Sequence, residues 1–442
     1  MRSHWILSVA VVGLLAGCGG SDPVTPVDGG TGDTGPACAA TGTGTVIVNV
    51  SGLPAGALGK VVVTGPTGPS NVDATKTITG AGAGTYTVTA DKVVVADPIV
   101  RTVYSATISS TTFCLANGLT QTITVTYAAI PTSNKLWVTN GPADLSPLGF
   151  ASASLAATGT PAASVAATSG TGRDIAFDQD GNLWSLGGTD STLRRLPADS
   201  MGTSGPKTAD RTLDLKIGCA PPTTGLAFDK NVNLWISSTC SHKVLRITSA
   251  QLAVSGDAVP AVSVTTPKSA LGIAFDKSGN LWVADPDDGH LFRYDASSLA
   301  ASTSTPSLTM SIKTSASGDY KPNWLAFDAA GNLWSNDFGG NVIFKLTPAD
   351  QGGTATKIVT PGVELTLEVG ALLEGMAFDE GGGLWTAYTA GRFARIAPAQ
   401  LGATASVAAG TLTLIHSADV GYVGNLAFYP APAALPLYDA LP

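Results

Sequence analysis

Charge is scarce in this chain: Asp, Glu, Lys and Arg make up 13% of 442 residues, and the net charge is -8. No run of Lys or Arg exists that could neutralise successive phosphates, which removes nucleic-acid binding from consideration. After the first eighteen residues no stretch approaches eighteen uncharged apolar residues, so no membrane-spanning helix is expected there. G-x-S-x-G, H-E-x-x-H, a Walker loop and paired C-x-x-C are all missing, leaving nucleophilic hydrolases, zinc proteases and NTP hydrolases without support. Asp285-Pro286-Asp287-Asp288-Gly289 starts like a calcium loop, but EF-hand spacing would demand a Glu where Ala296 stands. What is abundant is Gly, Ala, Ser and Thr beside 44% hydrophobic residues, the mixture of exported all-β proteins with many turns.

The N-terminus reads as an export address. Arg2 supplies the positive region, Trp5 to Leu15 the apolar stretch, and Leu15-Ala16-Gly17-Cys18 the processing site. That tetrapeptide resembles the bacterial lipobox, which implies cleavage before Cys18 and acylation of its thiol. Two or three acyl chains, at about 0.8 kcal/mol per buried methylene, make a stable anchor in the lipid bilayer. Gly19 is not the Asp of an inner-membrane retention signal, so the expected location is the bacterial cell envelope, at the outer membrane. The segment 19–38 is Gly, Thr, Asp and Pro with little to bury, as expected of a disordered tether. Four cysteines remain in a compartment that permits disulfides. Cys38 and Cys114 fall in one domain, and Cys219 and Cys240 in one repeat.

From 39 to 130, short Val/Thr/Ile runs alternate with Gly/Pro turns, the period of half-buried strands in a domain of sandwich size. Gly84-Thr85-Tyr86-Thr87-Val88 resembles a strand of Ig-like or prealbumin-like modules, and a spacer role is expected. The remainder, 131–442, repeats. Asp174-Ile175-Ala176-Phe177-Asp178 runs on to Gly181-Asn182-Leu183-Trp184, and Gly225, Gly272, Trp324 and Gly375 each open an equivalent unit. The Leu-Trp tryptophans from Trp137 lie 47, 51, 47, 52 and 51 residues apart. Each unit reads as a strand ending in Asp, a tight turn, a strand opening with Leu-Trp, and two further strands, the pattern of a propeller blade. Lys135-Leu136-Trp137-Val138 is a second strand without a first, and Gly424-Asn425-Leu426-Ala427-Phe428 a first strand without a second. Together they complete one blade. The expected fold is all-β: a six-bladed β-propeller closed by its C-terminal strand, preceded by the small sandwich.

The repeat G-[LI]-A-F-D-x-x-G-N-L-W resembles the NHL, gluconolactonase-like and streptogramin-lyase-like six-bladed propellers. Strand direction gathers the residues before each first strand and after each second strand on one face, here termed face one. These include Asn140, Arg173, Asp174, Asp285, Asn323, Asn336, Asp337, Glu374 and Asn425, with His242 and His290 in adjoining loops. It also brings Cys219 near Cys240. The gluconolactonase-like resemblance implies a divalent cation, calcium or magnesium, held by Asn323 in Pro322-Asn323-Trp324 and by Glu374 in Glu374-Gly375-Met376. The corresponding positions elsewhere are Arg173, Thr224, Leu271 and Gly424, so two of four oxygen ligands are missing, and hard cations take six or more oxygens. The streptogramin-lyase-like resemblance implies a His base with a Glu-bound magnesium. His290 is the candidate base, but no Glu stands three residues beyond any repeat tryptophan. The favoured expectation is therefore a binding or scaffolding lipoprotein that engages a protein, glycan or small molecule through Asp285, Asn323, Asp337 and Glu374. A metal-dependent lactonase-like or lyase-like enzyme is the alternative.

Overall fold

The computed structural model describes residues 38, 41–140, 146–169, 174–187, 191–217, 219, 225–315, 318–370, 372–388, 391–433 and 435. The export signal, Cys18 and nearly all of the expected tether lie outside them, as do Arg173 and Thr224. The described chain is all-β, and no helix in it is long and apolar enough to cross a membrane.

Two sheets come first. One has the order Lys76–Gly82, Thr43–Ser51, Thr120–Ala129, Thr102–Ile108, Val93–Val95, and the other Gly68–Val72, Val61–Gly65, Gly84–Ala90, Thr112–Leu115. Alternate residues of Gly84–Ala90 are buried. Val46, Val48, Val63, Val88 and Ile123 meet in one core between the sheets, which makes a sandwich. Thr43–Ser51 and Thr120–Ala129 run parallel, and a Cys38–Cys114 disulfide ties the entering chain to the second sheet.

The other strands form six antiparallel sheets among the described residues, each holding one repeat tryptophan. The Trp184 sheet is representative: Ile175–Phe177, Leu183–Leu186, Thr192–Leu196 and Arg211–Asp214 lie side by side. The two half-repeats complete the Trp137 sheet, with Leu426–Tyr429 antiparallel to Lys135–Val138 and Trp137 opposite Ala427. The two ends of the repeat region are thus zipped together as the half-repeats predict.

The repeat motif has a physical cause that reaches beyond turn formation. Asp178 accepts the backbone N–H groups of Asp180 and Asn182 with one oxygen, and the Trp184 indole N–H at 2.9 Å with the other. Asp229, Asp276, Asp328 and Asp379 accept from Trp235, Trp282, Trp334 and Trp385 in the same way. A buried indole needs an acceptor, and this carboxylate supplies it while closing the turn. Trp137 has no such Asp and donates to the Thr132 carbonyl instead. Where Asn is replaced by Gly383, Arg395 pairs with Asp379 in its place.

Packing runs from sheet to sheet. Trp137 meets Phe177, Trp235 meets Phe275, Trp282 meets Phe327, Trp334 meets Phe378, and Trp385 meets Phe428, with ring centroids 5.6 to 6.5 Å apart. Each of these five tryptophans packs on the phenylalanine of the following sheet, and Trp385 on Phe428 brings the series back to its start. This is a propeller.

One feature of the sheets differs from the four-strand expectation. The connection between the third and fourth strands of each sheet runs back to the preceding sheet and pairs in parallel with its outermost strand. Gly205–Pro206 joins Val165–Thr168, Gly256–Asp257 joins Arg211–Asp214, Ala355–Val359 joins Leu308–Ile312, and Ala405–Ala408 joins Val363–Glu368. Single bridges Val264 to Thr303 and Gly159 to Ile415 complete the series. An outermost strand otherwise presents unpaired N–H and C=O groups, and the passing connection satisfies them.

The sandwich docks on the face bearing the Asp turns, here face two. Ile99 and Val100 enter the core around Trp385 and Phe428. Lys92 pairs with Asp180 at 2.9 Å, and Arg101 with Glu380 at 3.0 Å. Face one is left to the loops that the sequence singles out.

Candidate functional site

The innermost strands of all six sheets line one cavity of about 200 Å³. Its wall includes one alanine from each sheet: Ala176, Ala227, Ala274, Ala326, Ala377 and Ala427. Small side chains there leave space along the axis. Pro432 and Leu435 line it beyond the last strand, whereas Asp174, Trp324 and Asn425 belong to its face-one end.

At that end the strands nearly touch, which is why glycine opens three of the six first strands. A Cβ on Gly272 would lie 2.3 Å from the Asn323 carbonyl oxygen, and one on Gly225 2.6 Å from the Leu271 carbonyl oxygen. The Gly272 and Gly375 N–H groups donate to the Asn323 and Gly424 carbonyls of the next sheet. Asp174 replaces glycine in the second sheet and is buried. Its carboxylate accepts the N–H groups of Ile175 and of Leu226 in the following sheet, and the side-chain amide of Asn425 in the preceding one. Burial outweighs those donors and pushes its pKa up to about 7.

The predicted site residues divide into two kinds. Asp285, fully buried, accepts the N–H groups of Asp287 and Asp288 with one oxygen and that of Ser269 with the other. Asp337 accepts from the Lys321 N–H at 2.7 Å. Both organise face-one loops, and burial raises both pKa values. Asn323 and Glu374 are brought together. Asn323 donates to the Leu373 carbonyl at 3.5 Å, while its own Oδ1, shielded from water, has no hydrogen-bond partner among the described residues. Glu374 accepts the Trp324 indole N–H at 3.4 Å and the Tyr422 hydroxyl at 2.7 Å. Asn336 fixes both neighbours, accepting the Trp324 N–H and donating to the Glu374 carbonyl.

His290 is placed elsewhere. It pairs in register with Asp285 and stacks on Phe292 at 5.9 Å, its Nδ1 is buried without a partner, and it is not among the cavity-lining residues. The Cys219–Cys240 disulfide forms as face-one geometry predicts. Asp174, Tyr422 and Trp324 are the members of this mouth whose roles the repeat pattern conceals. The departure from glycine at 174 and 324 is the signal that could have found two of them.

No family model matches the chain. No curated protein sequence matches it significantly either. Among solved structures it is similar to virginiamycin B lyase from Staphylococcus aureus, with TM-score 0.36 and 14% identity over 52% of this chain and 68% of that one. It is also similar to hydrazine synthase from Kuenenia stuttgartiensis, with TM-score 0.38 and 11% identity over 52% of this chain and 63% of that one. A third is the dihydro-heme d1 dehydrogenase NirN, with TM-score 0.35 and 14% identity over 53% of this chain and 45% of that one. What this chain does has to follow from its own residues.

A divalent cation does not fit the described mouth. Asn323 and Glu374 offer oxygens and Leu271 and Gly424 offer no side-chain oxygen, which falls short of the six or more that a hard cation takes. Among the described residues no group of three His, Cys, Asp or Glu could hold a metal.

Proposed function

We propose that this is a cell-envelope lipoprotein whose sandwich, an Ig-like spacer, presents a six-bladed propeller that binds a small ligand at the face-one mouth. Six tryptophan sheets, five tryptophan-to-phenylalanine contacts and the zipped half-repeats support the blade number. Leu15-Ala16-Gly17-Cys18 supports acylation at Cys18, and Gly19 supports outer-membrane sorting.

The observation that carries the binding reading is the water-shielded, unpartnered Asn323 Oδ1, one residue before Trp324, which lines the apolar cavity and donates its indole N–H to Glu374. A buried acceptor without a donor costs about 1–3 kcal/mol, and a ligand that donates there recovers it. The carboxylate of Glu374 and the indole of Trp324 favour a positively charged donor, and the alanine-lined cavity favours an apolar body behind it. The ligand class is thus a small organic ammonium. The described mouth offers acceptors and aromatic surface, which supports binding.

Thermal melting of the full chain with butylammonium tests this. The parent's melting temperature should rise with probe concentration by mass action, and the double variant Asn323→Ala, Glu374→Ala should not respond. Equal responses in the two proteins, or none in the parent, would refute the site.

A further inference from the structure

The third strand of most sheets carries one basic side chain over that sheet's tryptophan. Arg195 lies over Trp184, Arg246 over Trp235, Arg293 over Trp282 and Lys345 over Trp334, at 5.4 to 6.0 Å from the ring centroids. All but one of these arginines have an acidic partner. Arg195 makes a two-pronged pair with Asp210, and Arg293 pairs with Asp295 at 2.8 Å while donating to the Gln351 and Gly353 carbonyls. Arg246 donates to the Leu299 carbonyl at 3.1 Å, but its Nε, shielded from water, has no hydrogen-bond partner among the described residues.

The register shows what distinguishes it. Asp210 is held by its N–H donating to the Arg195 carbonyl at 3.0 Å, and in the following sheet the residue donating to the Arg246 carbonyl, at 2.9 Å, is Ala261. The same backbone position supplies a carboxylate in one sheet and a methyl group in the next. Arg246 also lines a groove of about 350 Å³ between the Trp235 and Trp282 sheets, together with Lys230 and Lys277. Asp229 and Asp276 line it too, but their oxygens are taken by the turn N–H groups and the indoles. Arg246 and Lys230 bring positive charge to the groove in a chain of net charge -8, while the Lys277 ammonium donates to the Ala329 carbonyl at 2.7 Å. Apart from Asn231 and Gly279 the remaining wall is apolar: Trp235, Phe275, Ala296, Leu299 and Ala300.

We propose that this groove binds a carboxylate carried on a short apolar body, with Arg246 taking the carboxylate as Arg195 takes Asp210. A planar carboxylate matches the guanidinium fork, Lys230 and Lys277 add long-range attraction, and Phe275 and Leu299 cover the apolar part. The site lies with the Asp turns of face two, apart from the channel mouth, and does not depend on the function proposed for that mouth.

Isothermal titration of the purified full chain with octanoate, acetate and octanol tests it. Octanoate should bind one per chain, acetate at least about tenfold more weakly for want of an apolar body, and octanol not at all for want of a charge. Arg246→Gln should weaken octanoate at least about tenfold. Ala261→Asp should do the same by giving Arg246 an internal partner, while melting at or above the parent temperature, so that loss of binding there is not loss of folding. No octanoate binding, acetate as tight as octanoate, octanol binding like octanoate, or loss in only one of the two variants would overturn the proposal.

Discussion

Stability of this protein should fall as the pH rises from about 4 to about 7, and Asp174 is the reason. The group is buried where three sheets meet, and its pKa is pushed up to about 7 from an ordinary 3.8. Between those values the folded protein holds a proton that the unfolded chain has released. The stabilisation is present in full below the unfolded pKa and is lost as the pH climbs through the folded one. The displacement from 3.8 to about 7 corresponds to about 4 kcal/mol. Asp174→Asn keeps the size and one acceptor oxygen but stays neutral throughout. Urea unfolding followed by tryptophan fluorescence, at steps from about pH 4 to about pH 8, gives the stability difference between parent and variant. Asp285 and Asp337 also titrate upward, but they are common to both proteins and cancel in that difference. The difference should move by about 4 kcal/mol towards the variant across the range and level off above about pH 7. A difference that stays within about 1 kcal/mol at every pH would show that Asp174 is ionised in the folded protein and refute the reasoning.

Deleting residues from Gly421 onward removes Leu426–Tyr429, the strand that completes the Trp137 sheet, and with it Phe428 against Trp385. The shortened chain should aggregate or fail to fold, and a cooperative melt like the parent's would count against ring closure. Cys18→Ser should move the protein from the membrane to the soluble fraction, whereas unchanged fractionation or an unmodified terminus by mass spectrometry would sink the lipid anchor.

The strands that face each other across a sheet were legible because each is written in the same letters. Phe177, Phe228, Phe275, Phe327 and Phe378 recur before the turn and the tryptophans after it, and packing between sheets requires large rings at those places. The parallel additions were not legible. Gly205–Pro206 and Gly256–Asp257 are two residues long and carry no alternation, because their pairing uses only backbone groups and leaves side chains unconstrained. At the mouth, strand direction was enough to bring Asn323 and Glu374 to one face. It could not distinguish them from Asp285 and Asp337, whose carboxylates end up on loop N–H groups. That difference lies in which backbone donors happen to be near, and single-residue spacing does not encode it. The Asp-to-indole bond was hidden for the opposite reason, since its two ends stand in the repeat side by side and each has a sufficient role alone.

The backward-reaching connections between third and fourth strands mean that the genetic unit and the mechanical unit of this ring are out of phase. A segment running from one tryptophan to the next carries the strand that covers its neighbour's outer edge, so no repeat completes its own sheet alone. Pulling on one sheet likewise loads the one before it, because Ala355–Val359 and Ala405–Ala408 each belong to two sheets at once, one by sequence and one by hydrogen bonding.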